Sequence, residues 1–476
     1  MDAPQLFRAD DQSLPITVGN LLDFPNDPIA CLRNLQQKHG LIAALEQEGQ
    51  RVHFVFGPDY NRQVLTNTTA FHSRFFAVRG SKKSPQRRLT SGLLSQNGEE
   101  HKRNRRLMME ALSKKAIVNY TTTIQVLVEK MLDQWQPGQE IDLTREMTEY
   151  MLRLTSTILF GLDDAEMAFE IGHKIDHWVH LNHEIGMGAF VSDPNIANRY
   201  PELLDFAAGL ETDIGGMIQR RRGSDHQGTD ALSLLLHAHD DQGSITDEVL
   251  VGQAALLFAA AHLTTAHSLT WTLFLLAQHP SVMSAVHAEL QQEMETPFPS
   301  HATVERLKFT EQAIKESMRI LPASSYSQRI TAQPVELGPF QLSPGQGVIF
   351  SQFITHHLPE LFPDPEAYLP QRWDTISPSP YAYLPFGSGP RMCIGAPLAM
   401  LILKTVIPTI LKRFKMTVLP GTEVSGKVIS TMLSPTSTVM MRLDEQDGQF
   451  TANPVTGNIH EMVELREIRQ RKARVA

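Results

Sequence analysis

Along most of this chain apolar residues recur at intervals of three and four, the spacing that gathers them on one face of a helix. Between Ile117 and Gly161 it predicts two helices joined by the turn QPGQE. NGEEHKRNRRLMMEAL, from Asn97, reads as another helix, with His101 and Arg105 four apart on one face. NRQVLTN reads as a short helix, and Phe71 to Leu94 as a loop with a basic cluster at Arg79, Lys82, Lys83, Arg87 and Arg88. KFTEQAIKESMRILP, from Lys308, is amphipathic and stops before Pro322, and its Glu316 and Arg319 are neighbours on one face. APLAMLILKTVIPTILKRF, beyond Gly395, predicts a strongly apolar helix.

Shorter apolar runs bounded by glycine and proline predict strands. LIAALEQEGQRVHFVFG reads as a hairpin, Leu41 to Leu45 and Val52 to Phe56, turning at Gly49. PVELGPFQLSPGQGVIFS and the stretch from FKMTVLPG to MMRLDE read as further strands, the latter with a turn near Ser434 and Pro435. The fold class is therefore mainly α with small β-sheets (α+β). One domain is expected over residues 1–445, and the polar residues 446–476, ending in basic ELREIRQRKARV, read as a frayed or disordered extension.

VGQAALLFAAAHLTTAHSLTWTLFLLAQHP, from Val251, holds no Asp, Glu, Lys or Arg. Its length alone would span a bilayer. His262, Thr264, Thr265, His267, Ser268, Thr270 and Thr272, however, put polar groups on most of its faces, which marks a buried central helix. MDAPQLFRADDQSLP has acids and prolines and no basic start followed by an apolar run, so no signal peptide and no membrane anchor are expected there.

Composition narrows the class. Hydrophobic residues make up 42% and charged residues 20% of the 476, the balance of a soluble globular protein. A net charge of -9 argues against general nucleic-acid binding. Cys31 and Cys393 are the only cysteines, so there is no disulfide framework, and a reducing, cytoplasmic setting is expected.

Cys393 carries the chemistry. It lies in FGSGPRMCIG, where Gly387, Gly389 and Gly395 let the backbone take positive φ or come close to a flat ligand. Arg391 sets a fixed cation two residues before the sulfur. The helix that follows aims its N-terminal amides at the sulfur, favouring a thiolate. Taken alone the loop also fits a buried structural cysteine.

The stretch resembles the cysteine loop of the cytochromes P450, the haem-thiolate monooxygenases, with every fixed position present at Phe386, Gly387, Gly389, Arg391, Cys393 and Gly395. The resemblance extends over roughly Pro15 to Leu443, to the soluble, prokaryote-like type. It implies haem b with Cys393 as the axial thiolate on iron, Phe386 and Gly387 against the cofactor, and His101, Arg105, Arg329 and Arg391 toward its propionates. It also implies a buried clamp of Glu316, Arg319 and Arg372, the last from LPQRW, that anchors the cysteine loop. Glu166 to Arg222 resembles the helix pair that covers the family's substrate cavity, with a loop around Phe190 to Pro201 that Gly186, Gly188 and Pro194 would let move.

In the central helix the family's Ala, Gly, any, acid, Thr, Thr appears as Ala260, Ala261, His262, Leu263, Thr264, Thr265. Thr264 keeps the hydroxyl that supports oxygen activation, while Leu263 replaces the acid that relays protons. His267, three residues beyond Thr264, is an alternative relay. The leading expectation is a monooxygenase that hydroxylates or epoxidises an apolar small molecule, such as a terpenoid, fatty acid or polyketide, within a cavity lined by Ala260, Leu263, Ser325, Tyr326 and Leu433. Electrons would come from a ferredoxin or flavodoxin with its reductase, docking in part on Lys102, Arg103, Arg106, Lys114 and Lys115. Peroxide use or a non-oxygenating rearrangement, and a haem or ligand carrier without turnover, stay open as alternatives.

Overall fold

The computed structural model describes residues 14–74, 78–161, 165–191, 199–223, 228–241 and 243–465. Helix accounts for 55% and strand for 15% of the chain, the expected α+β balance. The apolar stretch at its centre forms one helix, Asp247–Gln278, begun by Thr246, whose side chain accepts from the Val249 amide. This is the one helix among the described residues long and apolar enough to cross a membrane. Most of its side chains are instead buried by neighbouring helices, so its apolar surface is already matched within the fold.

Helix Leu143–Phe160 lies along this central helix most extensively, and helices Lys308–Ile320 and Ala396–Arg413 pack on its second half. One large core surrounds that second half, and a second core lies under the covering helices Ala165–Val191 and Tyr200–Arg222. The helix pair forms as expected, with Gly186 and Gly188 inside the first helix; Pro194 and the rest of 192–198 lie outside the described residues.

The hairpin also forms, Ile42–Gln47 against Gln50–Val55, with Ile42 opposite Val55. Glu48 and Gly49 both take positive φ (52° and 80°), as a two-residue turn between twisted strands requires. It joins a six-stranded sheet whose order is Ile16–Val18, Ile42–Gln47, Gln50–Val55, Gly347–Phe350, Ser327–Thr331, Phe71–His72.

Two expectations are corrected. Phe71 to Leu94 is not all loop: it contributes the strand Phe71–His72, the helix Pro85–Leu89 and a turn of 3₁₀ helix at Leu93–Ser95. Ser84 caps that short helix by accepting from the Arg87 amide, and Pro85 sits at its first position. Buried Gln86 then fastens it to the covering helix, donating to Asn182 Oδ1 at 2.7 Å and accepting from Trp178 Nε1 at 2.8 Å. Basic Arg88 from the same cluster is held by Glu211 (2.8 Å) on the second covering helix.

The second correction concerns 446–465, which is not a loose tail. Ile459 and Val463 are buried with Val455 and Met462 in the main core. Asn458 bonds both the amide and the carbonyl of Gly426 (2.8 Å each), and Arg33 donates to the Glu461 carbonyl at 2.7 Å. A polar average concealed four apolar residues spaced to pack. Residues 466–476, the basic end, lie outside the described residues.

Candidate functional site

The cysteine loop is built backbone first. Gly387 and Gly389 take φ of 66° and 72°, and a Cβ on Gly389 would stand 2.9 Å from the Leu65 carbonyl oxygen, so position 389 needs glycine twice over. Gly395 differs: it has ordinary negative φ (−83°) at the start of helix Ala396–Arg413, and a Cβ there would meet only Cys393 Sγ, at 3.7 Å. The Cys393 amide donates to the Phe386 carbonyl at 2.8 Å, closing the loop on itself. Phe386 packs on the main core, which anchors the loop's first residue.

The sulfur lies where the loop meets the helix start. Burial pushes the Cys393 thiol up, while the Gly395 and Ala396 amides and the Arg105 guanidinium act in the other direction. Protein crowds the thiol, yet it remains accessible, as a group lining an internal space would be. Ile394, the next residue, packs on the same core as Leu257 and Ala259 of the central helix. In the middle of that mostly buried helix Ala260 is exposed and Leu257, Ala259, Ala261, Leu263 and Thr264 are half-buried. Accessible space therefore adjoins both the cysteine loop and the middle of the central helix.

Four basic side chains gather beside it. Arg105 Nη2 donates to the Met392 carbonyl at 2.7 Å. Arg391 bonds the Gln96 carbonyl and, at 2.7 Å, Asn97 Oδ1, while its Nε is buried without a partner among the described residues. Arg329, from strand Ser327–Thr331, donates to the Gln328 carbonyl at 2.8 Å and has its guanidinium 5.2 Å from the centre of the Phe350 ring. Burial and then Arg391 push Arg329 down to about 10, burial and then Arg105 do the same for Arg391, and burial followed by these arginines pushes His101 down to about 4. Among the described residues no carboxylate pairs with any of the four. Like charges held together without a counter-ion fit a ligand that brings its own anionic groups.

Glu316, Arg319 and Arg372 meet in the core. Arg319 grips the Glu316 carboxylate through Nε and Nη2 at 3.0 and 2.9 Å, both side chains being fully buried, and Arg372 Nε reaches it at 2.9 Å. Trp373 Nε1 and the Leu369 amide add 3.0 and 3.1 Å bonds. The arginines then spread to carbonyls of His356, Pro363, Asp364, Pro365 and Ala367. His356 completes the link to the loop: its Nε2 accepts from the Leu384 amide at 2.7 Å, two residues before Phe386, so its Nδ1 is the donor toward the Arg319 carbonyl at 3.1 Å. Trp373, His356, Gln96 and Asn97 escaped the sequence reading; Asn97, at the start of its helix, was the nearest to a visible signal.

The cavity expectation divides. Ala260 and Leu263 are accessible to different degrees, whereas Ser325 and Leu433 are fully buried and Tyr326 nearly so. The Tyr326 hydroxyl donates to the Ser430 carbonyl and its ring packs on Phe24; the Leu433 carbonyl accepts from Trp271 Nε1 at 3.1 Å. The partly accessible residues are their neighbours Ser324 and Met432, which pair across an antiparallel bridge. A one-residue shift in register exchanges faces. Thr264 donates to the Ala260 carbonyl at 2.7 Å, the bond common for threonine inside a helix. Of the basic residues expected at a docking face, Arg103 grips Asp240 through two nitrogens (both 3.0 Å), Arg106 reaches it at 3.1 Å and Lys102 pairs with Glu99. Lys115 is exposed, and the Lys114 side chain lies outside the described residues.

Comparison with known proteins accounts for this arrangement. The family model "Cytochrome P450" matches residues 12–442. Cyclooctatin synthase of Streptomyces melanosporofaciens is 31% identical, the match covering 86% of this chain and 90% of that protein. Cyclooctat-9-en-7-ol 5-monooxygenase of the same organism is 30% identical over 86% and 89%. Pentalenene oxygenase of Streptomyces avermitilis is 26% identical over 88% and 93%. Among solved structures, retinoic acid-bound cyanobacterial CYP120A1 superposes with a TM-score of 0.77 at 25% identity, covering 91% of this chain and all of that one. This chain belongs to the cytochrome P450 family and is a haem b-dependent monooxygenase.

Proposed function

We propose that this monooxygenase hydroxylates or epoxidises a cyclic terpenoid. The observation that carries this reading is the accessible face of the central helix, where Ala260 is open and Leu257, Ala259, Ala261 and Leu263 flank it. Such a surface offers a hydrocarbon contact and no charge. Relatives named for cyclooctatin and pentalenene chemistry support the terpenoid class over fatty acids and polyketides.

Haem b supplies the oxygen chemistry. Around it Cys393 is the residue that would hold the iron, with the Gly395 and Ala396 amides offsetting part of the burial that pushes its thiol up. Arg105, Arg329, Arg391 and His101 receive the propionates; the unpartnered Arg391 Nε and the cluster's lack of carboxylates support that role. Glu316, Arg319 and Arg372 fix the loop's position. Thr264 orients water beside Ala260 once its hydroxyl turns from the Ala260 carbonyl.

Electrons arrive from a ferredoxin or flavodoxin in the cytoplasm. A pocket of about 400 Å³ lined by His101, Lys102, Arg105, Arg106, Met109 and Pro390 supports docking on this side, with Met109 and Met392 exposed. The test is reconstitution with a surrogate ferredoxin and its reductase and a panel of cyclic terpenes and terpene alcohols. A thiolate-type carbon monoxide band and an oxygenated product are expected. Product from fatty acids alone overturns the substrate class, and a Cys393→Ala variant that keeps the band overturns the ligand assignment.

A further inference from the structure

The family match ends at residue 442, and the chain then returns to pack on the hairpin formed by strands Gly426–Ile429 and Met432–Pro435. Asn458 holds the base of this hairpin through both polar groups of one residue. Its Oδ1 accepts from the Gly426 amide and its Nδ2 donates to the Gly426 carbonyl, each at 2.8 Å. The Ile459 amide donates to the Val424 carbonyl at 3.2 Å, and the Val424 amide to the Thr456 carbonyl at 2.8 Å. Gly457 (φ 100°) lets the backbones come this close, since a Cβ there would collide with the Val424 carbonyl oxygen. Further on, the Glu464 amide donates to the Glu366 carbonyl at 2.8 Å. The next residue, Ala367, is the one whose carbonyl accepts from Arg319 and Arg372. The segment therefore runs from the hairpin to the clamp.

The hairpin stands between the central helix and the strand that carries Arg329. On one side the Leu433 carbonyl accepts from Trp271 Nε1 at 3.1 Å. Trp271 is seven residues beyond Thr264, about two turns along nearly the same helix face. On the other side the Leu433 amide donates to the Ala323 carbonyl at 3.1 Å and the Ser325 amide to the Thr431 carbonyl at 2.8 Å. Strand Ser327–Thr331, with Arg329 of the basic cluster, follows directly. Partly accessible Ser324 and Met432 are paired across that join. Gly426 is where the parts meet: a Cβ on it would lie 3.1 Å from Met462 Cε, 3.3 Å from Leu433 Cδ1 and 3.3 Å from Trp271 Cζ2. Displacement of the C-terminal segment is thus passed to Leu433 and Trp271 through one backbone position.

We propose that Asn458 and Met462 are positioning residues for the substrate: by fixing Gly426 they set where Met432 and Ser324 stand relative to the Thr264 face, and so which carbon of a bulky substrate is oxidised. The proposal rests on the monooxygenase reading above and gives the segment beyond the family match a part in selectivity as well as in stability.

The haem-loaded variants Asn458→Ala and Met462→Ala are tested with two probes that bind ferric haem through an imidazole nitrogen, read as a red shift of the Soret band. Imidazole needs only the iron, whereas 4-phenylimidazole also needs an apolar wall. Both variants should weaken 4-phenylimidazole about fivefold and leave imidazole within about twofold of the parent. Met462→Leu, which keeps the apolar volume, should restore parent binding, and Asn458→Asp, which keeps the acceptor for the Gly426 amide, should fall between parent and Asn458→Ala. Hydrogen–deuterium exchange gives a readout that needs no haem ligand: the Leu433 and Ser325 amides should exchange about tenfold faster in both alanine variants, with the Cys393 amide unchanged. Parent-like binding of both probes overturns the proposal. So does equal weakening of both probes with faster exchange at Cys393, which marks general loosening. With any terpene the parent oxidises, the ratio of regioisomeric products should shift severalfold in both alanine variants, and an unchanged ratio also overturns it. A parent that oxidises no terpene overturns the substrate class instead, and the probe and exchange measurements still decide the positioning role.

Discussion

The three glycines of the cysteine loop look equivalent in sequence and are not equivalent in space. Gly389→Ala meets both left-handed strain and the Leu65 carbonyl and should cost about 2–3 kcal/mol of stability. Gly387→Ala, with φ of 66° but nothing within 4 Å of the new methyl, should cost about 1 kcal/mol. Gly395→Ala should be the mildest of the three for folding. Denaturation midpoints of the three variants rank them directly. The motif made these residues visible because it is short and contiguous. What crowds Gly389 was not visible, since Leu65 lies more than three hundred residues away in sequence. Ser325, Tyr326 and Leu433 were misread for a related reason: in irregular strands a single residue's shift decides which face a side chain takes.

The clamp joins helix Lys308–Ile320 to the segment Pro363–Trp373 through one carboxylate. Arg319→Met leaves Glu316 with one guanidinium fewer in a dry site and should destabilise by about 3–5 kcal/mol, read as a lower denaturant midpoint. Joint replacement of Glu316, Arg319 and Arg372 by apolar residues should cost less than the sum of the single changes, because no charge is then stranded. His356 adds a pH dependence. Burial, then Arg319, push it down to about 3, against about 6.5 in the unfolded chain. Its contribution is therefore complete above pH 6.5 and is lost as pH falls toward 3, amounting to about 2 kcal/mol at pH 5. Denaturation at pH 7 and pH 5 should show this fall, and His356→Gln should shrink it. The Glu316 to Arg319 spacing was legible on one helix. Trp373 and His356 were not, since nothing local marks a residue that closes a network across elements.

Across the whole molecule, the central helix and its neighbours were readable from apolar spacing, because burial on all sides leaves an uninterrupted run. The C-terminal segment was not, because four apolar residues in polar text carry little periodic signal. Residues 446–465 lie beyond the family match, which ends at 442, yet Ile459 is fully buried. Ile459→Ala should cost about 2–4 kcal/mol, and removal of 446–476 should yield aggregated chain, both checked by thermal unfolding and size-exclusion chromatography. The cluster of Arg105, Arg329, Arg391 and His101 bears on the molecule's life before catalysis. A newly made chain holds the three arginines as cations without an opposing carboxylate among the described residues, so its folded form gains in stability when a dianionic tetrapyrrole arrives. Supply of that tetrapyrrole then governs how much protein survives proteolysis, and cells starved of its biosynthetic precursor are expected to lose the polypeptide itself, measurable by immunoblot, as well as its activity.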